Sequence, residues 1–135
     1  MLIRSENTND YAAIRQVNLL AFANHPFSHQ TEHLIVEALR DAGALSVSLV
    51  AEEDNQVVGH IAFSHAKIDD AECGWYLLGP VAVTPEKQKR GIGSALVIEG
   101  LKRIRALGAK GCVLVGDPDF YKSFEFNQGD LLTMR

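Results

Sequence analysis

Cysteine is scarce in this chain: Cys73 and Cys112 are the two present, far apart and in no CxxC pair. That spacing excludes a disulfide framework and a thiolate metal site. Cations are in the minority. Thirteen Lys and Arg stand against seventeen Asp and Glu, a net charge of −4. Such a balance argues against a surface built to cover nucleic acid or an anionic membrane. No stretch approaches the roughly 18 apolar residues of a membrane span. The opening MLIRSENTNDY has charge and polarity where a secretory leader needs an apolar run. No linker, low-complexity tract or internal repeat divides the sequence. The expectation is one domain over residues 1–135 in a cytoplasmic protein, with neither nucleic acid nor membrane as a partner.

What is present suits an ordinary globular core: 47% of residues are hydrophobic and 22% charged. The spacing predicts a short strand at Leu2–Arg4, then a helix over Tyr11–Phe22 with Ile14, Val17 and Ala21 on one face. A second helix is predicted over Thr31–Asp41, with Leu34, Ile35, Ala38 and Leu39 as its buried stripe and Gly43 past its end. The period then changes to two. Strands are predicted at Ser46–Glu52, Val57–His65 and Cys73–Val83, the first two joined by a turn at Asp54–Gln56. A helix over Ile92–Leu107 and a strand at Gly111–Val115 follow, then a short helix at Phe120–Phe124 and a tail. The order β α α β β β α β implies an α+β fold. Its mixed sheet is predominantly antiparallel, with one βαβ crossover and helices on its faces.

Chemistry concentrates in Val81-Ala82-Val83-Thr84-Pro85-Glu86-Lys87-Gln88-Lys89-Arg90-Gly91-Ile92-Gly93-Ser94. A strand runs into a basic loop, and the loop opens a helix at two glycines. The first turn of a helix has N–H groups without partners and a positive dipole end, so an anion binds well there. Gly91 and Gly93 let a ligand approach the backbone, and Lys87, Lys89 and Arg90 add charge. A pyrophosphate fits this chemistry. A dinucleotide fold would need GxGxxG, but Leu96 occupies the third glycine position and no acidic residue follows in Gly108–Val113. No GxxxxGK[ST] occurs either.

Gln88-Lys89-Arg90-Gly91-Ile92-Gly93, after a strand that ends Val-x-Val-x-Pro, resembles the coenzyme A loop of the GCN5-related N-acetyltransferases. The resemblance covers residues from about 2 to 126. Ser48–Ala51 and Val57–Ser64 are similar to that family's second and third strands, and Leu78–Val83 to its fourth. Gly116-Asp117-Pro118-Asp119-Phe120-Tyr121-Lys122-Ser123-Phe124-Glu125-Phe126 is similar to a segment of its YhbS-like bacterial branch. The resemblance implies an acetyl-CoA-dependent N-acyltransferase fold and an amine acceptor attacking the thioester directly in a ternary complex. It assigns oxyanion and pantetheine contacts to backbone groups of Val81, Ala82 and Val83. It assigns the pyrophosphate to the loop from Gln88 through Lys89, Arg90, Gly91, Ile92, Gly93 and Ser94. Tyr121 matches the general acid: at a pKa of about 10 it stays protonated and can donate to a thiolate.

Glu32 is the best carboxylate candidate for a base. The competing reading is a solvated glutamate at a helix N-terminus, favoured by the dipole. His60 and His65 lie on a strand; for His65 a place facing the acceptor site competes with the favoured reading, a hydrogen-bonded structural histidine. His25, His29 and His33, spaced by four, offer a metal alternative that Pro26 interrupts and that lacks HExxH; no metal is expected. Glu125 and Ser123 depart from the family's usual glycine and arginine. They leave open a second reading, an acyl-CoA-binding sensor or interaction module without turnover. Family members usually follow this segment with two long strands, whereas here nine residues follow Phe126, broken by Gly129-Asp130. Leu131–Met134 can supply one short strand at most. The expected remedy is a homodimer at the fifth strand, with Phe124, Phe126, Leu131 and Leu132 at the contact.

Overall fold

The computed structural model describes residues 1–23, 31–68, 71–114 and 132–133. Its strands are β1 (Leu2–Ser5), β2 (Leu45–Glu53), β3 (Gln56–Ile68), β4 (Ala71–Val83), β5 (Gly111–Leu114) and β6 (Leu132–Thr133). Its α-helices are α1 (Tyr11–Phe22), α2 (Glu32–Asp41) and α3 (Ile92–Ala106). The strands form one sheet in the order β1-β2-β3-β4-β5-β6. Every neighbouring pair is antiparallel except β4 and β5, which α3 joins as a crossover. The predicted fold class and element order agree with this architecture. The predicted short helix at Phe120–Phe124 lies outside the described residues.

Local chemistry places the ends of these elements. Asp54 and Asn55 have φ of 52° and 64°, the paired left-handed conformation of a two-residue hairpin turn, and they join β2 to β3. Asn7 Oδ1 accepts from the Asn9 N–H at 2.9 Å, and Asp10 Oδ2 accepts from the Asn7 N–H at 2.8 Å. This reciprocal cap starts the 3-10 turn at Thr8–Asp10 that leads into α1. Arg4 donates to both oxygens of Asp10, at 2.7 and 3.0 Å, and to Glu52 at 2.9 Å. One guanidinium thus ties β1, β2 and the start of α1 together.

The sheet has an apolar layer on each face. Against α3 lie Leu49, Ile61, Phe63 and Leu78, fully buried with Leu96, Val97 and Ile104 of the helix. On the other face Val50 and Ala62 meet Ile14 of α1 and Val36 of α2. The stripe expected on α2 is corrected here. Leu34 and Ile35 are about half exposed, at 48% and 47%, while His33 and Val36 are buried. The cause is Arg40. Its guanidinium grips Glu6 with two hydrogen bonds, at 2.8 and 3.0 Å, and lies 3.9 Å from the centre of the Tyr11 ring. Holding Arg40 inward turns positions 33, 36 and 40 to the sheet and 34, 35 and 38 away.

Helix α3 sits unusually close to the sheet. A Cβ on Gly100 would come within 2.2 Å of Phe63 Cε1, and one on Gly59 within 3.0 Å of Leu96 Cδ1 and 3.1 Å of Ile92 Cγ2. Gly100→Ala should therefore destabilise the protein by about 1–3 kcal/mol through overpacking. Urea unfolding checks this, and an unchanged midpoint would show that the Phe63 ring moves aside freely.

Candidate active site

The site grows from a slip in β4. Pairing with β3 runs Gly59↔Val83, His60↔Ala82 and Ile61↔Val81, then resumes at Phe63↔Leu78. One extra residue is thus inserted in β4 at Gly79-Pro80. Gly79 has φ 138°, a conformation that side chains disfavour, and Pro80 has no N–H to give to a ladder. Among the described residues, pairing with β5 runs to the same level, Leu78↔Leu114.

Beyond that point the hydrogen-bonding edge of β4 is turned outward. The Thr84 N–H donates to the Val58 carbonyl at 2.9 Å. Alternation along the strand then points the backbone groups of Val81 and Val83 away from β3, toward the β5 side. The Val83 carbonyl is taken by Gln88 Nε2 at 2.9 Å. Gln88 is thus a brace that folds the loop back onto the strand it leaves. The loop passes through a 3-10 turn at Pro85–Lys87 and reaches α3 through two left-handed residues, Lys89 at φ 64° and Gly91 at φ 84°.

At the start of α3 the Ala95 N–H donates to the Gly91 carbonyl at 3.0 Å, and no side chain caps the helix. The amides of Ile92, Gly93 and Ser94 precede that first intrahelical bond. Gly91 is exposed, with open space where a Cβ would stand. The Ile92 side chain is buried against Gly59, whose register partner is Val83. One contact therefore sets the helix start beside the open strand edge. Of the three loop cations, Lys87 pairs with Glu53 at 3.0 Å. Lys89 and Arg90 are exposed and make no hydrogen bond or ion pair among the described residues. The loop can present amides, a helix dipole and two cations to an anion, and the strand can present amides to a carbonyl oxygen.

The expected loop and strand residues, Val81 to Val83 and Gln88 to Ser94, thus lie together. Glu32 is the first residue of α2 and is half-buried. Tyr121 lies outside the described residues, as do His25 and His29. His33 is buried on α2, and no group of three His, Cys, Asp or Glu side chains among the described residues could hold a metal ion. Burial pushes the Cys112 thiol up to about 12, which removes it as a nucleophile at neutral pH.

Pattern reading missed a polar chain across the α1/α2 face. Glu6 takes two hydrogen bonds from Arg40 and one from Ser48 Oγ at 2.5 Å; Ser48 Oγ lies 2.8 Å from His60 Nε2. Burial acts to raise the Glu6 carboxyl, but the hydrogen bonds from Arg40 and Ser48 outweigh it and hold it below the usual range. His60 is fully buried, and burial pushes its imidazole down to about 4, with the Glu6 charge opposing and Arg40 assisting. A signal did exist: Ser48 and His60 occupy inward positions of strands whose other inward residues include Val50 and Ala62.

Comparison with known proteins gives the class. A family model for the acetyltransferase (GNAT) domain matches residues 44–128. Over 127 residues the chain is 34% identical to the uncharacterized N-acetyltransferase YhbS of Escherichia coli K12, covering 93% of this chain and 73% of that protein. A GNAT family acetyltransferase from Brucella melitensis, solved in complex with acetyl-CoA, is 52% identical with a TM-score of 0.93, covering 98% of this chain and 86% of that one. The structure of Escherichia coli YhbS with CoA is 29% identical with a TM-score of 0.83, covering 99% and 80%. The chain belongs to the GNAT family of acetyltransferases.

The buried imidazole makes stability depend on pH. Between pH 6.5 and about 4 the unfolded histidine takes a proton that folded His60 refuses. Stability is therefore fully present above 6.5 and falls as pH falls through that window, by at most about 1.4 kcal/mol per unit. Denaturant unfolding at several pH values should show a shallower fall for His60→Gln than for the wild type. Equal slopes would mean that His60 is charged in the fold.

Proposed function

We propose that this protein is a cytoplasmic N-acetyltransferase that moves the acetyl group of acetyl-CoA to a primary amine of a small molecule or a protein N-terminus. The observation that carries the reading is the juxtaposition of two binding edges. The amides opening α3, with exposed Lys89 and Arg90, suit the pyrophosphate. The outward edge of Val81 and Val83 suits the pantetheine arm and the thioester oxygen. The relative from Brucella melitensis solved with acetyl-CoA supports the same ligand.

In this mechanism the amine nitrogen attacks the thioester carbon in a ternary complex. Negative charge develops on the carbonyl oxygen, where a strand N–H aimed at it lowers the barrier. The carbon–sulfur bond then breaks, and Tyr121 gives its proton to the departing thiolate. Glu32 is the candidate that relieves the amine of its proton. Gln88 holds the loop in place through Val83 and need not touch the ligand.

No helix of the described residues is long and apolar enough to cross a membrane. We further propose a homodimer. Strand β6 pairs with Gly111 and Cys112, which leaves Val113 and Leu114 without a strand on that side among the described residues. A second copy, meeting it through Phe124, Phe126, Leu131 and Leu132, would complete the edge.

Three experiments test these readings. Calorimetry should show acetyl-CoA binding by the wild type and strong weakening in folded Gly93→Val. Tyr121→Phe should keep that affinity and lose about 10²–10⁴ in turnover, followed as CoA release with a polyamine, a free amino acid, an amine-bearing antibiotic and a peptide with a free N-terminus. Unchanged affinity in Gly93→Val would reject the loop, and binding without turnover on any amine would favour a sensor. Light scattering at micromolar concentration should give twice the 14.8 kDa chain mass; a monomer rejects the dimer.

A further inference from the structure

We propose that Glu6 sets the tautomer of His60 through Ser48, and that the tautomer so fixed makes His60 a positioning residue that seats α1 over β3 and β4. The positioning role rests on the acetyl-transfer reading above; the tautomer lock does not.

The direction of the chain follows from donor counting. An ionised carboxylate only accepts, and Glu6 accepts from Arg40 Nε, Arg40 Nη2 and Ser48 Oγ. Ser48 has one hydrogen and spends it on Glu6. Toward His60 Nε2, 2.8 Å away, Ser48 can then only accept, so the imidazole must donate from Nε2. A neutral ring has one N–H, which leaves Nδ1 bare.

The bare nitrogen faces α1. Asn18 Nδ2 carries two hydrogens: it donates one to the Ile14 carbonyl at 2.9 Å and presents the other to Nδ1, 3.5 Å away. Asn18 is 1% exposed, and its Oδ1 is buried with no hydrogen-bond partner among the described residues. Turning the amide over would set oxygen against the Ile14 carbonyl oxygen, two acceptors face to face. The amide therefore keeps its nitrogen toward Nδ1, which must stay an acceptor to receive it. The other tautomer, with Nδ1–H, would set a donor against the Asn18 Nδ2 donor. Glu6 forbids it from the far end of the chain.

This matters for the reaction because of register. His60 pairs with Ala82, between Val81 and Val83, and α1 lies across both β3 and β4. A switch to Nδ1–H would push the Asn18 amide off the ring and shift α1 relative to the strand that meets the thioester. The loop on α3 lies at the other face and would not move. His60 is no proton acceptor here, since burial keeps it neutral well below neutral pH.

The test uses the full chain with Ser48→Ala and Ser48→Thr. Nitrogen-15 NMR at pH 7 should find the Nε2–H tautomer in the wild type, the Nδ1–H tautomer in Ser48→Ala, and the wild-type state in Ser48→Thr, which keeps the hydroxyl. With the best amine of the panel, kcat/KM should fall about tenfold to 10²-fold in Ser48→Ala, return in Ser48→Thr, and leave the Kd for acetyl-CoA unchanged. Nδ1–H in the wild type overturns the lock. Amine kcat/KM in Ser48→Ala within about twofold of wild type overturns the positioning role. A wild type that binds no acetyl-CoA in calorimetry signals failure of the transfer reading itself; the positioning role falls with it, and NMR still decides the lock.

Discussion

The close approach of α3 to the sheet is the constraint on which the candidate site depends. Gly100 and Gly59 remove two side chains from that interface, and Phe63, Leu96 and Ile92 fill the space they vacate. The helix is thereby held at one depth and one height. Its first residue lies against Gly59, level with Val83. The helix start and the open strand edge of the candidate site are therefore spaced by core packing, and the loop between them has only to connect two fixed points.

The slip in β4 does the complementary work. A parallel pair of strands normally hydrogen-bonds along its whole shared length. Here, among the described residues, pairing with β5 reaches Leu78, just before the extra residue at Gly79-Pro80, while pairing with β3 continues past it. The edge thus opened belongs to a strand supported on its other side, so its amides stay fixed. Preorganised donors of this kind lower a barrier without reorganising during reaction. Helix and strand contribute differently: the helix end supplies net positive potential, and the strand edge supplies direction.

Much of this was legible in the residues. Period-two patterning located β2, β3 and β4, and the basic loop before Gly91 and Gly93 marked the candidate loop that joins β4 to α3, because both signals are local. Sequence patterning could not show the rotation of α2. Leu34, Ile35 and Ala38 form a credible apolar stripe, but the Glu6–Arg40 pair turns it outward, and that pair joins residues 34 positions apart. The reach of Lys87 to Glu53 was hidden for the same reason. Counting three loop cations overstated what is available to a ligand by one. Gln88 was legible as part of a motif, yet its use as a brace on Val83 follows only from the geometry of the turn.

The thiol of Cys112 has a consequence outside catalysis. It is wholly enclosed between sheet and helix, and its proton is held far more tightly than that of a free cysteine. Oxidants and alkylating agents react with the thiolate, and they need access to it. Cys112 offers neither while the chain is folded. Its reaction with such a reagent therefore reports unfolding, and the residue serves as a built-in clock for opening of the layer between α3 and the sheet.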